Sequence, residues 1–269
     1  MKKRICLNRT LAFTLSLLLT AMGVTAQDAG KEFTPRSGQE GKDVVWVPTP
    51  QALVDTMLSL AKVTSADFVM DLGSGDGRLV ITAAKRGATA LGIEYNPDMV
   101  ALARRSAMEE GVSDRAKFEK ADIFETDFSK ATVITLFLLS DLNLKLRPTI
   151  LNMKPGTRIV SNTFGMSDWE PDQTMESTDE AYWKTAHLWI VPAKVDGVWT
   201  LSGGQIQFTQ QFQFITGTLT MGGKNMELSG KLNGDKISFN AGGTAYSGTV
   251  SGNAISGTIA GGGSWNATR

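Results

Sequence analysis

The sequence predicts an α/β protein: a doubly wound, mostly parallel sheet, followed by a small all-β antiparallel meander. Three observations predict it. From residue 45 to 192, short apolar runs that end in an acid or a small polar residue alternate with segments of helical spacing. A glycine-rich loop, Asp71-Leu72-Gly73-Ser74-Gly75-Asp76-Gly77, joins the first strand to a helix. Beyond Val191-Pro192-Ala193 the composition changes, and residues 194–269 hold 16 of the 28 glycines and no helical pattern.

The chain opens on Lys2, Lys3, Arg4 and Arg9, then an apolar stretch from Leu11 to Val24, then Val24-Thr25-Ala26 before Gln27. That is the pattern of a cleavable secretory signal peptide over residues 1–26, and the apolar run is short for a membrane span. The expected location is the periplasm or the exterior; an uncleaved N-terminal anchor is the alternative. Residues 27–44 are polar and broken by Gly and Pro, which predicts a linker. In Trp46-Val47-Pro48-Thr49-Pro50, Thr49 is placed to cap a helix whose first residue is Pro50, with Leu53, Met57 and Leu60 on its apolar face.

Phe68-Val69-Met70 is the first strand, and Arg78 to Arg86 the helix after the loop, stopped by Gly87. Thr89 to Ile93 is the second strand, with Glu94 at its tip. Asn96 and Pro97 open a helix that runs to Glu110 and ends at Gly111. Ala116–Ala121 is the third strand, followed by Asp122. Ala131–Leu139 is the fourth, apolar enough to be covered on both faces. Leu142–Met153 is helical, and Lys154-Pro155-Gly156 turns into a fifth strand, Thr157–Ser161. Alternating strands and helices imply a parallel sheet, whose ligands bind beyond the carboxyl ends of the strands. Asp71, Glu94, Asp122 and Ser140-Asp141 all fall at such ends. Residues 194–269 then read as hairpins: Gln205–Phe208, Phe214–Leu219, Lys236–Phe239 and Ala254–Ile259, separated by Gly222-Gly223, Asn233-Gly234-Asp235, Gly242-Gly243 and Ser251-Gly252-Asn253. A barrel or a sandwich is expected.

The loop carries the chemistry. Its glycines let the backbone turn sharply and lie against a ligand. A carboxylate at position 94 can accept hydrogen bonds from both hydroxyls of a ribose. The rival is a nicotinamide or flavin site, but that fingerprint is Gly-x-Gly-x-x-Gly, and this loop is Gly-x-Gly-x-Gly. Asp71 favours a cationic ligand over a pyrophosphate, which it would repel. The pattern therefore points to S-adenosylmethionine, an amino acid joined to a nucleoside through a sulfonium.

Composition excludes several other classes. Net charge is zero, and without residues 1–26 it falls to about −4, so nothing suggests a nucleic-acid footprint. With one histidine, His187, and one cysteine, Cys6 in the leader, no Cys/His metal site or Cys–His dyad can be assembled. No metal is expected. His187 sits in an alternating run and reads as a sheet histidine.

These residues resemble a known family. Val47-Pro48-Thr49-Pro50, the loop through Arg78, Gly92-Ile93-Glu94, Lys154–Arg158 and Phe164 through Trp169-Glu170-Pro171 are similar to the seven-strand methyltransferases related to the mitochondrial enzymes that methylate lysine on the c-subunit of ATP synthase and on the adenine nucleotide translocase. A more distant likeness is to the non-SET histone lysine methyltransferases. The resemblance covers roughly residues 45–192 and implies a Rossmann-like seven-stranded sheet binding S-adenosylmethionine. Residues 194–269 form a separate Gly-rich β domain, without counterpart in the eukaryotic relatives. Carried over by position, Asp71, Gly73 and Gly75 cradle the methionine part, Glu94 holds the ribose, and Asp122 with Ile123 faces the adenine. Pro48 and Thr49 close the donor site, and Leu139-Ser140-Asp141 borders the acceptor.

The implied reaction is methylation of a protein lysine amine. Alternatives are a small-molecule methyltransferase and an exported, non-catalytic binding protein on the same scaffold. A lysine must lose its proton before attack, and Asp141 and Asp168 are the acids expected to assist; a helix cap is the competing role for Asp141. Trp169, Trp183 and Trp189 are candidates either for an acceptor groove or for core packing. Export sits uneasily with a cofactor made in the cytoplasm.

Overall fold

The structure, a computed structural model, describes Met1, residues 33–178 and residues 181–269. The candidate leader and the first part of the candidate linker thus lie outside the described residues, Met1 apart. Residues 34–269 form one compact unit. No helix of the described residues is long and apolar enough to cross a membrane.

Seven strands make the first sheet: β1 (Phe68–Leu72), β2 (Thr89–Glu94), β3 (Ala116–Lys120), β4 (Val133–Leu136), β5 (Arg158–Asn162), β6 (Gln173–Glu176) and β7 (Thr185–Ile190). Their order is β3-β2-β1-β4-β5-β7-β6. The first five are parallel, and β7 and β6 are added antiparallel. This is the Rossmann-like arrangement, and the order reverses between β1 and β4, where such sheets open a crevice. Helices α1 (Gln51–Leu60), α2 (Arg78–Lys85) and α3 (Pro97–Glu109) pack with Val69, Ala90 and Val133 on one face. Helix α4 (Ser140–Ile150) packs with Met70, Leu72, Ile134 and Leu136 on the other. Covered on both sides, β4 is buried at every residue.

Local sequence explains most boundaries. Asn96 caps α3, its Oδ1 accepting from the amides of Asp98 and Met99, with Pro97 in the first turn. Two expectations need correction. Helix α1 starts at Gln51 with Pro50 in the cap position, so Thr49 is not its cap. Helix α4 starts at Ser140, so Asp141 lies inside the first turn and caps nothing; the cap position is Leu139, which has no side-chain acceptor.

The C-terminal part is a closed barrel rather than a sandwich. It comprises β8 (Gly197–Leu201), β9 (Gly204–Gln211), β10 (Phe214–Met221), β11 (Lys224–Asn233), β12 (Lys236–Ala241), β13 (Thr244–Ser251), β14 (Ala254–Ile259) and β15 (Ser264–Thr268). Neighbours pair antiparallel, and β15 returns to β8 to close it. Gly222 and Gly223 both take positive φ, as the two-residue turn of a twisted hairpin requires. Trp199, Phe208, Phe239, Tyr246 and Trp265 fill the interior.

The barrel is keyed to the sheet at several places, among them the ion pair of Lys231 with Asp172 at 2.8 Å. Phe212, at the β9–β10 tip, adopts φ +51 and stacks on Trp169 with centroids 5.7 Å apart. Buried Gln213 accepts from Trp169 Nε1 at 3.0 Å and donates to the Glu170 carbonyl at 2.8 Å. Elsewhere the amide of Ala193 donates to the Gly234 carbonyl, and Gly234 lies against Gly156, just before the amino end of β5.

Candidate functional site

A cavity opens beyond the carboxyl ends of β1 to β5, lined by segments that follow each of these strands. Its floor is the glycine loop. Gly73, Gly75 and Gly77 have φ of +86, +52 and +83, conformations that L side chains avoid. The amides of Gly73 and Ser74 both donate to the Ile93 carbonyl, which stitches the loop to β2. A Cβ on Gly75 would lie 2.4 Å from Trp46 Nε1, and one on Gly77 would strike Phe118 and Ala103. These positions are closed to other residues by space as well as by φ.

Glu94 sits at the tip of β2. Its Oε2 accepts from the Gly75 amide and its Oε1 from the Asn96 amide, each at 2.9 Å. The carboxylate is thus oriented by two backbone donors, and its remaining lone pairs are available to hydroxyl donors. Ser74 Oγ is buried over Gly92, where a Cβ would lie 2.5 Å from it, and has no hydrogen-bond partner.

Asp71 lies beneath the loop and not on the cavity wall. Its Oδ1 accepts from Thr135 Oγ1 at 2.7 Å across the β1–β4 pair. Burial, against the hydrogen bond from Thr135 and with the carboxylates of Glu94 and Asp76 adding to it, pushes its pKa up to about 7. Asp76 and Arg78 form an ion pair at 2.6 Å, and Arg78 Nη1 donates to the Thr49 carbonyl at 2.8 Å. That guanidinium ties the loop to the Pro48-Thr49-Pro50 turn. Thr49 is buried, with its hydroxyl 3.3 Å from Asn162 Nδ2.

Asp122 and Ile123 reach the cavity from the end of β3. Asp122 forms an ion pair with Lys42, and its Oδ1 accepts from the Phe124 amide. The Lys42 ammonium and that amide hold its carboxyl below the usual range. Lys42 belongs to a strap, residues 36–46, whose ends pair through Gln39 and Trp46. Sequence reading placed most of this strap in a linker. Its polar, Gly-containing composition does look like one, and only Trp46 next to the proline turn hinted at a wall.

The far wall is aromatic. Phe137, Phe164 and Trp183 face the cavity, with centroids 5.5 to 6.1 Å apart. Phe164 is presented by a tight turn: its amide donates to the Asn162 carbonyl at 2.6 Å, and Thr163 between them has φ +60. A left-handed β-branched residue in such a three-residue turn costs about 1–3 kcal/mol. The turn is braced by the Thr163 amide donating to the Thr185 carbonyl, by Asn143 and Ser161 donating to the Phe164 carbonyl, and by His187 Nε2 near the Thr163 carbonyl. His187, on β7, is half-buried, and burial keeps its pKa below the ordinary value.

The site residues expected from sequence therefore divide. Pro48, Thr49, Gly73, Gly75, Glu94, Asp122 and Ile123 converge on the cavity, and Asp71 supports it from below. The two acids expected to assist proton removal do not converge. Asp141 is exposed on the first turn of α4 and lines no part of the cavity. Asp168 is exposed and paired with Arg147 at 2.5 Å, and that guanidinium holds its carboxyl below the usual range. A carboxylate held ionised by an arginine is a poor proton acceptor, and Asp141 stands off the cavity, so the geometry brings neither acid to the donor site. Trp183 reaches the cavity, whereas Trp169 and Trp189 are wholly buried core. Phe137 and Lys42 are among the lining residues that sequence reasoning did not single out, and Ser74 and Phe164 entered it only as members of motifs.

Comparison with known proteins now bears on this geometry. Residues 71–173 match the model of the ANTKMT methyltransferase domain. A protein-lysine N-methyltransferase of Saccharolobus islandicus is 41% identical over 151 residues, which span 55% of this chain and 94% of that protein. The adenine nucleotide translocase lysine N-methyltransferase of Mus musculus is 31% identical over 147 residues, 54% of this chain and 64% of that one. Among solved structures, an RNA methyltransferase from Salinibacter ruber in complex with S-adenosyl-L-homocysteine superposes with a TM-score of 0.52 and 46% identity, covering 55% of this chain and 96% of the other.

Proposed function

The chain belongs to the S-adenosylmethionine-dependent methyltransferases of the ANTKMT type, and from that premise we propose that it methylates the side-chain amine of a protein lysine. The observation that carries the acceptor class is the 41% identity across nearly the whole length of the archaeal protein-lysine N-methyltransferase.

The cavity fits the cofactor. Glu94, pre-set by two amides, would take the ribose hydroxyls. The bare backbone at Gly73 and Gly75 admits the methionine part, with Asp71 beneath it. Asp122 and Ile123 would meet the adenine, and Pro48 and Thr49 close the donor side. When bound, the cofactor supplies a methyl group already activated on a sulfonium. The residues' work is therefore to bind, to align and to exclude water. Among the described residues no carboxylate stands on the aromatic wall, and solvent at the cavity mouth is the route by which the amine loses its proton.

The leader pattern supports export of the mature chain, residues 27–269, to the periplasm or the exterior. The test is transfer of isotope-labelled methyl from S-adenosylmethionine to a lysine-rich protein, with RNA and small amines in parallel. Label on lysine supports the reading. Label on RNA alone would move the acceptor to the class named for the Salinibacter protein, and cofactor binding without any transfer would favour a non-catalytic role.

A further inference from the structure

Phe137, Phe164 and Trp183 come from the ends of β4 and β5 and from the segment before β7, yet their rings meet at one corner of the cavity. Phe137 and Phe164 stack at 6.1 Å and 28°, and Trp183 stands edge-on to Phe137 at 5.5 Å and 69°. Tyr182, which is 86% exposed, packs its edge on Trp183 at 4.7 Å and extends the aromatic surface to the mouth. The corner abuts the cofactor floor, because Leu138, next to Phe137, lies where a Cβ on Gly73 would touch it at 3.2 Å.

Two features mark this corner as built for a ligand rather than as leftover core. All three rings are only partly buried, although the sheet has fully buried places for tryptophan at 169 and 189. Phe164 is also held there against backbone strain at Thr163, with wholly buried Asn143 spending its amide on the Phe164 and Gly165 carbonyls. Among the described residues, the acids that line the cavity all belong to the strap, the glycine loop and the ends of β2 and β3, and the aromatic wall presents ring faces to an arriving cation.

We propose that Phe137, Phe164 and Trp183 form the acceptor subsite and hold an alkylammonium through their ring faces. The inference rests on the amine acceptor proposed above and adds how that amine is recognised. Ring faces attract a cation whether or not it carries N–H groups, so the subsite binds an amine that has already been methylated as well as a fresh one. A carboxylate receptor would lose a hydrogen bond with each methyl added.

The test is calorimetric titration of the full-length mature chain, saturated with S-adenosylhomocysteine. The two probes are an Nα-acetyl-Nε-trimethyllysine amide and the same amide with carbon in place of the quaternary nitrogen. The charged probe should bind at least tenfold more tightly. Trp183→Leu should bring the ratio close to one, with affinity for S-adenosylhomocysteine within threefold of wild type, and Phe137→Leu serves if Trp183→Leu fails to fold. Equal affinity for the two probes, or a ratio untouched in both folded variants, overturns the proposal. Lysine methylation by the wild-type chain is read alongside. Its absence with the ratio intact would sink the lysine reading alone, and its presence with no ratio would sink the ring-face subsite alone.

Discussion

Replacing Glu94 by alanine should damage two things that can be measured apart. The carboxylate accepts from the amides of Gly75 and Asn96, both at 2.9 Å, and neither amide has another acceptor of that quality in the loop. Hydrogen bonds to a charged group contribute about 1.5–3 kcal/mol each, and Glu94 is only partly buried, so the lower end applies. Two bonds at that end come to about 3 kcal/mol of fold stability, part of which water recovers by solvating the freed amides. A loss of roughly 2 kcal/mol should lower the melting temperature of the cofactor-free protein by about 4–8 °C. The ribose contacts are a separate loss. One or two charge-assisted bonds to hydroxyls correspond to a 10- to 150-fold rise in Kd for S-adenosylmethionine. Differential scanning calorimetry reads the first effect and titration calorimetry the second. A lower melting temperature with unchanged Kd would make Glu94 a scaffold residue only and refute the ribose assignment.

Three further outcomes are expected. The carboxyl of Asp71 ionises near 3.8 in the unfolded chain and near 7 in the folded one, so the folded state holds the extra proton between them and stability falls as pH rises through that window. Asp71→Asn should therefore gain on wild type between pH 4 and pH 8, by ~4 kcal/mol at most in urea unfolding, and an equal difference at both pH values would refute the buried-acid account. Asp122→Asn deprives Lys42 of its partner, and should loosen the strap to limited proteolysis near residues 40–44 while weakening cofactor binding by about tenfold; a strap as resistant as in wild type would count against the latch. Phe212→Ala should lower the unfolding free energy without changing cofactor Kd, and Phe212→Gly should lower it by about 1 kcal/mol less, since glycine relieves the left-handed backbone that alanine keeps. Equal losses in the two variants would show that the strain at Phe212 is not stored there.

The cofactor end was legible because its signals are local. Glycines that need positive φ, and an acid at the tip of the next strand, sit within one strand–helix–strand unit from Asp71 to Glu94, so the chain itself fixes their meeting. The aromatic corner was not legible. Phe137, Phe164 and Trp183 are scattered along the chain, and only the order β4-β5-β7 puts them side by side. Asp168 misled for a related reason: Arg147, which neutralises it, stands on α4, and no periodicity links the two. In the barrel, the hairpin turns were plain, whereas β11 and β13, with Gly230 and Gly248 mid-strand, were not among the segments named. The structure shows their purpose, since a Cβ on Gly230 would lie 2.1 Å from the Ser238 carbonyl oxygen and hold the strands apart.

The way the barrel meets the sheet fixes a bearing. Its contacts fall on Gly156 before β5, on Ala193 after β7 and on Arg147, Trp169, Glu170 and Asp172, and none of these residues lines the cavity. Because the cavity opens at the carboxyl ends of the strands and Gly156 lies at the amino end of β5, the two halves of the molecule look in different directions. A substrate as bulky as a folded protein can approach the mouth without passing the barrel.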